Sequence, residues 1–233
     1  MNVTHVLFDF FGTLVEYSPS VTEQGYEGSY ALLRRAGYGE TFERFLEQWS
    51  VVFHRFERRA ATTLREFSML ELVGEFLGEA LGASEALLVA RFAETYLAEW
   101  NRGVVYDGAT AAWLRRLSAD YRLGIISNTN DPRLVPEHLE RMGVGELFGG
   151  VVTSIGCGTR KPSREIFEYA LRKFGAEAGE CLYVGDSYQA DYRGAEAAGL
   201  RSYLLDPSGA APIPAARRLR KIAEIEPLLG RMR

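Results

Sequence analysis

The 233-residue sequence predicts an α/β protein, a doubly wound parallel sheet with an inserted four-helix cap domain. Three observations lead there. Five short runs, apolar on both faces and bounded by turn residues, lie at 3–9 (VTHVLFD), 121–127 (YRLGIIS), 150–154 (GVVTS), 181–185 (CLYVG) and 202–205 (SYLL). Strands covered by helices on both sides of a sheet have this composition. Helical periodicity alternates with the later runs, as it does when parallel strands are joined by crossover helices. The stretch 16–103 breaks that alternation and carries helical spacing alone.

Taken in order, the first run ends in Asp9 and a Gly-Thr turn. Within the insertion, Ser20 with Glu23 and Thr63 with Glu66 fit the spacing of a capping box, in which hydroxyl and carboxylate satisfy the free N–H groups of a first helical turn. Four helices are expected. The second is the clearest: Phe42, Phe45, Leu46, Trp49, Val52, Phe53 and Phe56 recur every three or four residues, a stripe that reads as the insertion's own core. Gly37, Gly39, Gly82 and the turn at 101–103 punctuate the set, and hinges are expected at 15–19 and 100–103. The domain boundaries that follow are 1–15 with 104–233 for the α/β part and 16–103 for the helical cap. Downstream helices are expected over 109–119 (Ala112, Leu114, Leu117), 133–142 (Leu134, Leu139) and 163–174 (Ile166, Phe167, Ala170, Leu171, Phe174). After Asp206 comes a loop, PSGAAPIP, and then a final amphipathic segment with Ile222, Ile225, Leu228 and Leu229. Its RRLRK run reads as solvated surface.

Bulk properties exclude several classes. Net charge is −4, from 27 basic and 31 acidic side chains, which leaves no electrostatic footprint for nucleic acid. Cys157 and Cys181 stand far apart without CxxC or Cys/His spacing, so neither zinc nor a disulfide framework is indicated. No apolar stretch approaches the roughly 20 residues that span a bilayer, and the first ten residues lack the pattern of a signal peptide. The expectation is a cytoplasmic protein that binds a small molecule, not a nucleic acid or a membrane.

In an open α/β sheet, ligands bind beyond the carboxyl ends of the strands. Asp9 ends the first strand, Ser127 and Asn128 the second; Lys161 follows the third, and Asp186 and Asp191 follow the fourth. Each alone has an ordinary reading as a helix cap or turn residue. In order along one sheet edge they form a set suited to phosphoryl transfer. A carboxylate in a dry pocket can attack phosphorus. Oxygen ligands such as Asp9 and Asp186 suit Mg2+, which takes few protein carboxylates together with a substrate phosphate. Lys161 would place a point charge on phosphate and on Asp9, and Ser127 would hydrogen-bond an equatorial oxygen.

The segments VLFDFFGTL, LGIISNTN, RKPSREIF and LYVGDSYQADYRGAEAAG, around an insertion after the first strand, resemble the four motifs of the haloacid dehalogenase-like hydrolase superfamily with a helical cap. The resemblance implies Asp9 as nucleophile and metal ligand, and Ser127 and Lys161 as phosphate contacts, with Asn128 beside them in the substrate site. Asp186 is implied as a metal ligand, Asp191 as a ligand or its support, and the backbone carbonyl of Phe11 as a further metal ligand.

Phe11 departs from the pattern. Family phosphatases typically carry an acid there, which protonates the leaving alcohol and later activates water, help worth about 10² to 10⁴ in rate. Three readings follow: a magnesium-dependent phosphohydrolase with altered proton transfer, a metal-free 2-haloacid dehalogenase, and a non-enzymatic module that binds a phosphorylated ligand or a partner. Halide departure needs no proton, so an aromatic residue at position 11 makes chemical sense in the second. Against it stand Gly185 and Asp186, Phe167 where that branch usually has tyrosine, and no match to its cap arginine segment. His54, Arg55, Arg58 and Arg59 read as the wet face of the second helix, and His5 and His138 have no visible metal partner.

Overall fold

The computed structural model describes residues 3–18, 24–82, 85–230 and 232. The chain divides into two compact units, Met1–Glu16 with Tyr106–Arg233 and Tyr17–Val105. The expected Ser20–Glu23 capping box lies outside the described residues.

In the α/β unit, strand β1 (His5–Phe8) is the fully buried start of the sheet. A two-residue strand β2 (Glu16–Tyr17) pairs with β3 (Val104–Val105), where the chain leaves and re-enters this unit. There follow β4 (Arg122–Ser127), β5 (Phe148–Thr153), β6 (Cys181–Gly185), β7 (Arg201–Leu205) and β8 (Arg218–Leu219). The main sheet has the order β5-β4-β1-β6-β7-β8 and is parallel throughout. From β1 the chain builds outward through β4 and β5, then returns to the other side of β1 with β6. The switch point therefore falls between β1 and β6, where an open sheet of this kind opens a crevice. Register brings the two strand ends level: Phe8 pairs with Val184, and Asp9 N–H donates to the Val184 carbonyl at 2.9 Å.

Helices cover both faces. Leu7, Ile126, Val152 and Tyr183 pack with Ile166, Phe167 and Ala170 of the helix Arg164–Phe174. Phe8 meets the edge of Trp113, from the helix Gly108–Leu117, at 5.8 Å.

The C-terminal segment is built from three short pieces. Its helix spans only Ile225–Gly230, after a 3-10 turn at Ile222–Glu224, and the residues before it form β8. Leu219 is buried, Arg218 pairs with Asp206 at 3.1 Å, and Arg217 donates to the Ser202 carbonyl. The RRLRK run is thus partly structural. A two-residue strand is too short to leave a periodic signal.

The helical unit holds four helices among the described residues: Glu27–Arg35, Phe42–Thr63, Met69–Leu81 and Ala86–Trp100. Phe45, Trp49, Val52 and Phe56 of the expected stripe are buried. Trp49 packs on Tyr96 at 4.4 Å and on Phe76 at 5.1 Å. Thr63 does not start a helix, as its spacing to Glu66 suggested, but ends one, its hydroxyl donating to the Arg59 carbonyl. The complete capping box is Ser68 with Glu71, which has the same spacing five residues later. The apolar run Met69, Leu72, Val73, Phe76 and Leu77 follows it directly, so burial selects between two equal local signals. Arg55 bridges Glu75 and Glu79 on the next helix, each at 2.6 Å, and the Arg59 guanidinium lies over the Phe56 ring.

Candidate active site

The loops after β1, β4 and β6 and the segment after β5 bring Asp9, Ser127, Lys161, Asp186 and Asp191 to one edge of the sheet. Asp9, Asp186 and Asp191 each offer a carboxylate oxygen, all within 4.8 Å of one another. Asp9 and Asp191 are buried, and Asp186 is exposed. The Lys161 ammonium, also buried, donates to Asp9 Oδ1 at 2.6 Å, Asp191 Oδ1 at 2.7 Å and the Tyr183 hydroxyl at 3.0 Å. Thr13 Oγ1 donates to Asp9 Oδ2 at 3.3 Å.

Backbone geometry makes this convergence possible. Gly12 sits at φ 86°, a region costly for side-chain-bearing residues, and a Cβ there would collide with the Asp186 carboxylate. A Cβ on Gly185 would likewise overlap Asp191. Asp191 lies in a π-helical turn, Tyr188–Arg193, which Ser187 caps through Ala190 N–H. Its Oδ2 accepts from Ser187 N–H at 2.8 Å. Asn128 fixes Lys161 from the other side: its side-chain oxygen accepts from Lys161 N–H at 2.9 Å, and its amide donates to the Lys161 carbonyl at 3.0 Å. Asn128, expected in the substrate site, here grips the backbone of Lys161. Ser127 is buried at the end of β4, and its hydroxyl has no protein partner among the described residues.

The electrostatics follow from three carboxylates facing one ammonium. Burial pushes the Asp9 carboxyl up to about 7; Lys161 pulls it down, while the Asp191 and Asp186 charges push it back up. Asp186 is raised by partial desolvation and by Asp191. Desolvation alone would depress Lys161, but Asp191 and Asp9 overcome it and hold the ammonium above the ordinary lysine value. Such a site favours a further positive charge.

Phe11, two residues after Asp9, packs in an aromatic cluster. Its ring meets the edges of Phe10 at 5.0 Å and His138 at 5.5 Å. His138 stacks on Phe10 at 5.9 Å and shares a 2.5 Å hydrogen bond between Nδ1 and the Tyr106 hydroxyl. Thr13 and Tyr183 were not among the residues singled out from sequence. Tyr183 left a trace, a hydroxyl in an otherwise apolar, doubly covered strand, where such a group needs a partner.

Fold and site together define a hydrolase of the haloacid dehalogenase-like class. The chain belongs to the haloacid dehalogenase-like hydrolase family, whose model matches residues 3–199. Haloacid dehalogenase-like hydrolase domain-containing protein 3 of Bos taurus is 29% identical over 224 residues, covering 92% of this chain and 86% of that protein. Ribulose-1,5-bisphosphate 5-phosphatase of Halopiger xanaduensis is 30% identical over 218 residues, covering 88% of this chain and 85% of that protein. The crystal structure of a 2-haloacid dehalogenase from Pseudomonas syringae shares the fold, with a TM-score of 0.71 at 21% identity over 99% of this chain and 100% of that one. Among the described residues, no helix is long and apolar enough to cross a membrane.

Proposed function

We propose that the protein is a magnesium-dependent phosphohydrolase that acts on small phosphorylated metabolites through an aspartyl-phosphate at Asp9, with the helical unit as its cap. The observation that carries this reading is the charge count at the site. Asp9, Asp186 and Asp191 bring three negative charges within 4.8 Å, and Lys161 offsets one of them. The remaining pair suits a hard divalent cation with oxygen ligands. Bound there, Mg2+ supplies positive charge to the carboxylates and to the phosphate oxygens. Asp9, Asp186 and the Phe11 carbonyl are assigned as its ligands. Asp191, whose oxygens accept from Lys161 and from Ser187 N–H, is assigned as a further ligand or as support for the set. A relative named as a sugar-bisphosphate phosphatase agrees with the reading.

In this mechanism an Asp9 oxygen attacks phosphorus and the ester P–O bond breaks, its electron pair leaving with the substrate oxygen. Water then attacks the phosphorus of the aspartyl-phosphate, which releases inorganic phosphate and restores the carboxylate. Ser127, whose hydroxyl has no partner among the described residues, donates to a phosphate oxygen. No carboxyl at position 11 protonates the leaving oxygen, so leaving groups that are stable as anions are favoured. Aryl and acyl phosphates should turn over at least tenfold faster than alkyl phosphates, and phosphorylated Asp9 should accumulate, because general acid–base help is worth about 10² to 10⁴. Rapid-quench kinetics with and without Mg2+ test this; equal rates for aryl and alkyl esters contradict it. 2-Chloropropionate is assayed beside the phosphate esters, with and without Mg2+, since Phe11 also fits halide displacement. Metal-independent chloride release would replace the phosphohydrolase reading with the dehalogenase one.

A further inference from the structure

An ammonium has three N–H donors and a flexible stem, so two acceptors leave it free to turn. At Lys161 all three are engaged: Asp9 Oδ1 at 2.6 Å, Asp191 Oδ1 at 2.7 Å and the Tyr183 hydroxyl at 3.0 Å. The Tyr183 hydroxyl is itself held. It lies 2.9 Å from Asp191 Oδ1 and 3.2 Å from the Ile126 carbonyl, either of which takes its proton. Its ring is fully buried in β6 and meets the edge of Phe167 at 5.3 Å. The hydroxyl therefore sits on a buried strand, accepts from the ammonium and lies within hydrogen-bond distance of that ammonium's own partner, Asp191.

We propose that Tyr183 is a positioning residue for phosphoryl transfer, holding the third N–H of Lys161 so that the ammonium stays aligned between Asp9 and Asp191. The inference rests on the phosphohydrolase reading. With Tyr183 in place, Lys161 acts on the phosphoryl group as a fixed charge and keeps its donors on the protein. Without the hydroxyl, one donor is released and turns to the nearest anion, the bound phosphate. Ground-state and product binding then tighten while the alignment of Asp9 is lost.

Tyr183→Phe keeps the ring and removes the hydroxyl. Its kcat should fall about tenfold or more, the scale set by one hydrogen bond to a charged group. Its affinity for inorganic phosphate, measured by calorimetry with and without Mg2+, should rise at least about threefold, on the same hydrogen-bond scale. A purely structural role for the ring or hydroxyl would lower kcat without tightening phosphate. Unchanged kcat, or unchanged or weaker phosphate binding, overturns the proposal. A wild-type protein inactive on every phosphate ester overturns the phosphohydrolase reading and this inference with it; an active wild type matched by the variant overturns this inference alone. Should the variant not fold, the wild type supplies the measurement. Its 15N-labelled Lys161 ammonium should exchange slowly with water and show a cross-relaxation contact to the Tyr183 hydroxyl, and rapid exchange without that contact overturns the proposal.

Discussion

Phe11 is more than a missing carboxylate. Its ring is held by Phe10 and His138, and His138 is tied to Tyr106, so the position is a built aromatic wall. Phe11→Asp loses two edge contacts, each worth about 0.5 to 1.5 kcal/mol, and the melting temperature should drop accordingly. The same change supplies a proton donor beside Asp9. Turnover of alkyl phosphates should rise by about tenfold or more, within the range of general acid catalysis, while aryl phosphates change little. Steady-state kinetics on a variant shown folded by circular dichroism decide it, and no gain on alkyl esters would count against the proposed chemistry. At this scale the sequence was informative about identity and poor about partners. Asp9, Ser127, Lys161, Asp186 and Asp191 could be named as candidates from sequence because each ends a strand or lies in the segment that follows one. Thr13 and Tyr183 could not, because a turn threonine and a strand tyrosine have many ordinary uses.

Among the elements, the helix Glu27–Arg35 shows how a local structure can depend on a distant residue. Its N-cap, Tyr26, has a left-handed backbone and no side-chain cap. Instead the buried Glu99 carboxylate accepts from Gly28 N–H at 2.7 Å, Ser29 N–H at 3.0 Å and the Ser29 hydroxyl at 2.6 Å. A carboxylate at a helix N-terminus satisfies free donors and the helix dipole together. Glu99→Ala strands these donors in a buried place and should cost about 1 to 3 kcal/mol in urea unfolding. A loss within experimental error would show that the cap is dispensable. Nothing in the spacing of residues 27–35 announces this, since the capping residue is some seventy positions away. The same limit explains the misplaced capping box at Thr63, where two equal motifs compete and packing chooses the second. The second helix was legible because its stripe is long; β8 was not, because it has two residues.

Across the whole molecule, burial leaves a signature in pH dependence. His138 is fully buried, and burial first, then the nearby Arg141 charge, lower its pKa from 6.5 to about 4. The folded state therefore binds fewer protons than the unfolded chain between those values, so the stability contributed by neutral His138 is present above 6.5 and lost as pH falls toward 4. The loss amounts to at most about 3 kcal/mol. A His138→Gln variant has no such titration, so the gap in unfolding free energy between wild type and variant should narrow from pH 7 to pH 4.5. The opposite drift from Asp9 is common to both proteins and cancels in the difference. A constant gap would refute the assignment. The α/β class, the helical insertion and the order of chemical groups along the chain followed from composition and periodicity alone, because both faces of each long central strand must be apolar and helical spacing repeats over many turns. Three-dimensional packing was needed for the rest: the strand order that puts the switch point between β1 and β6, the two glycines that let Asp186 and Asp191 approach, and the three acceptors that hold Lys161. These are contacts between residues far apart in the chain. Their free energy depends on distances that no local pattern encodes.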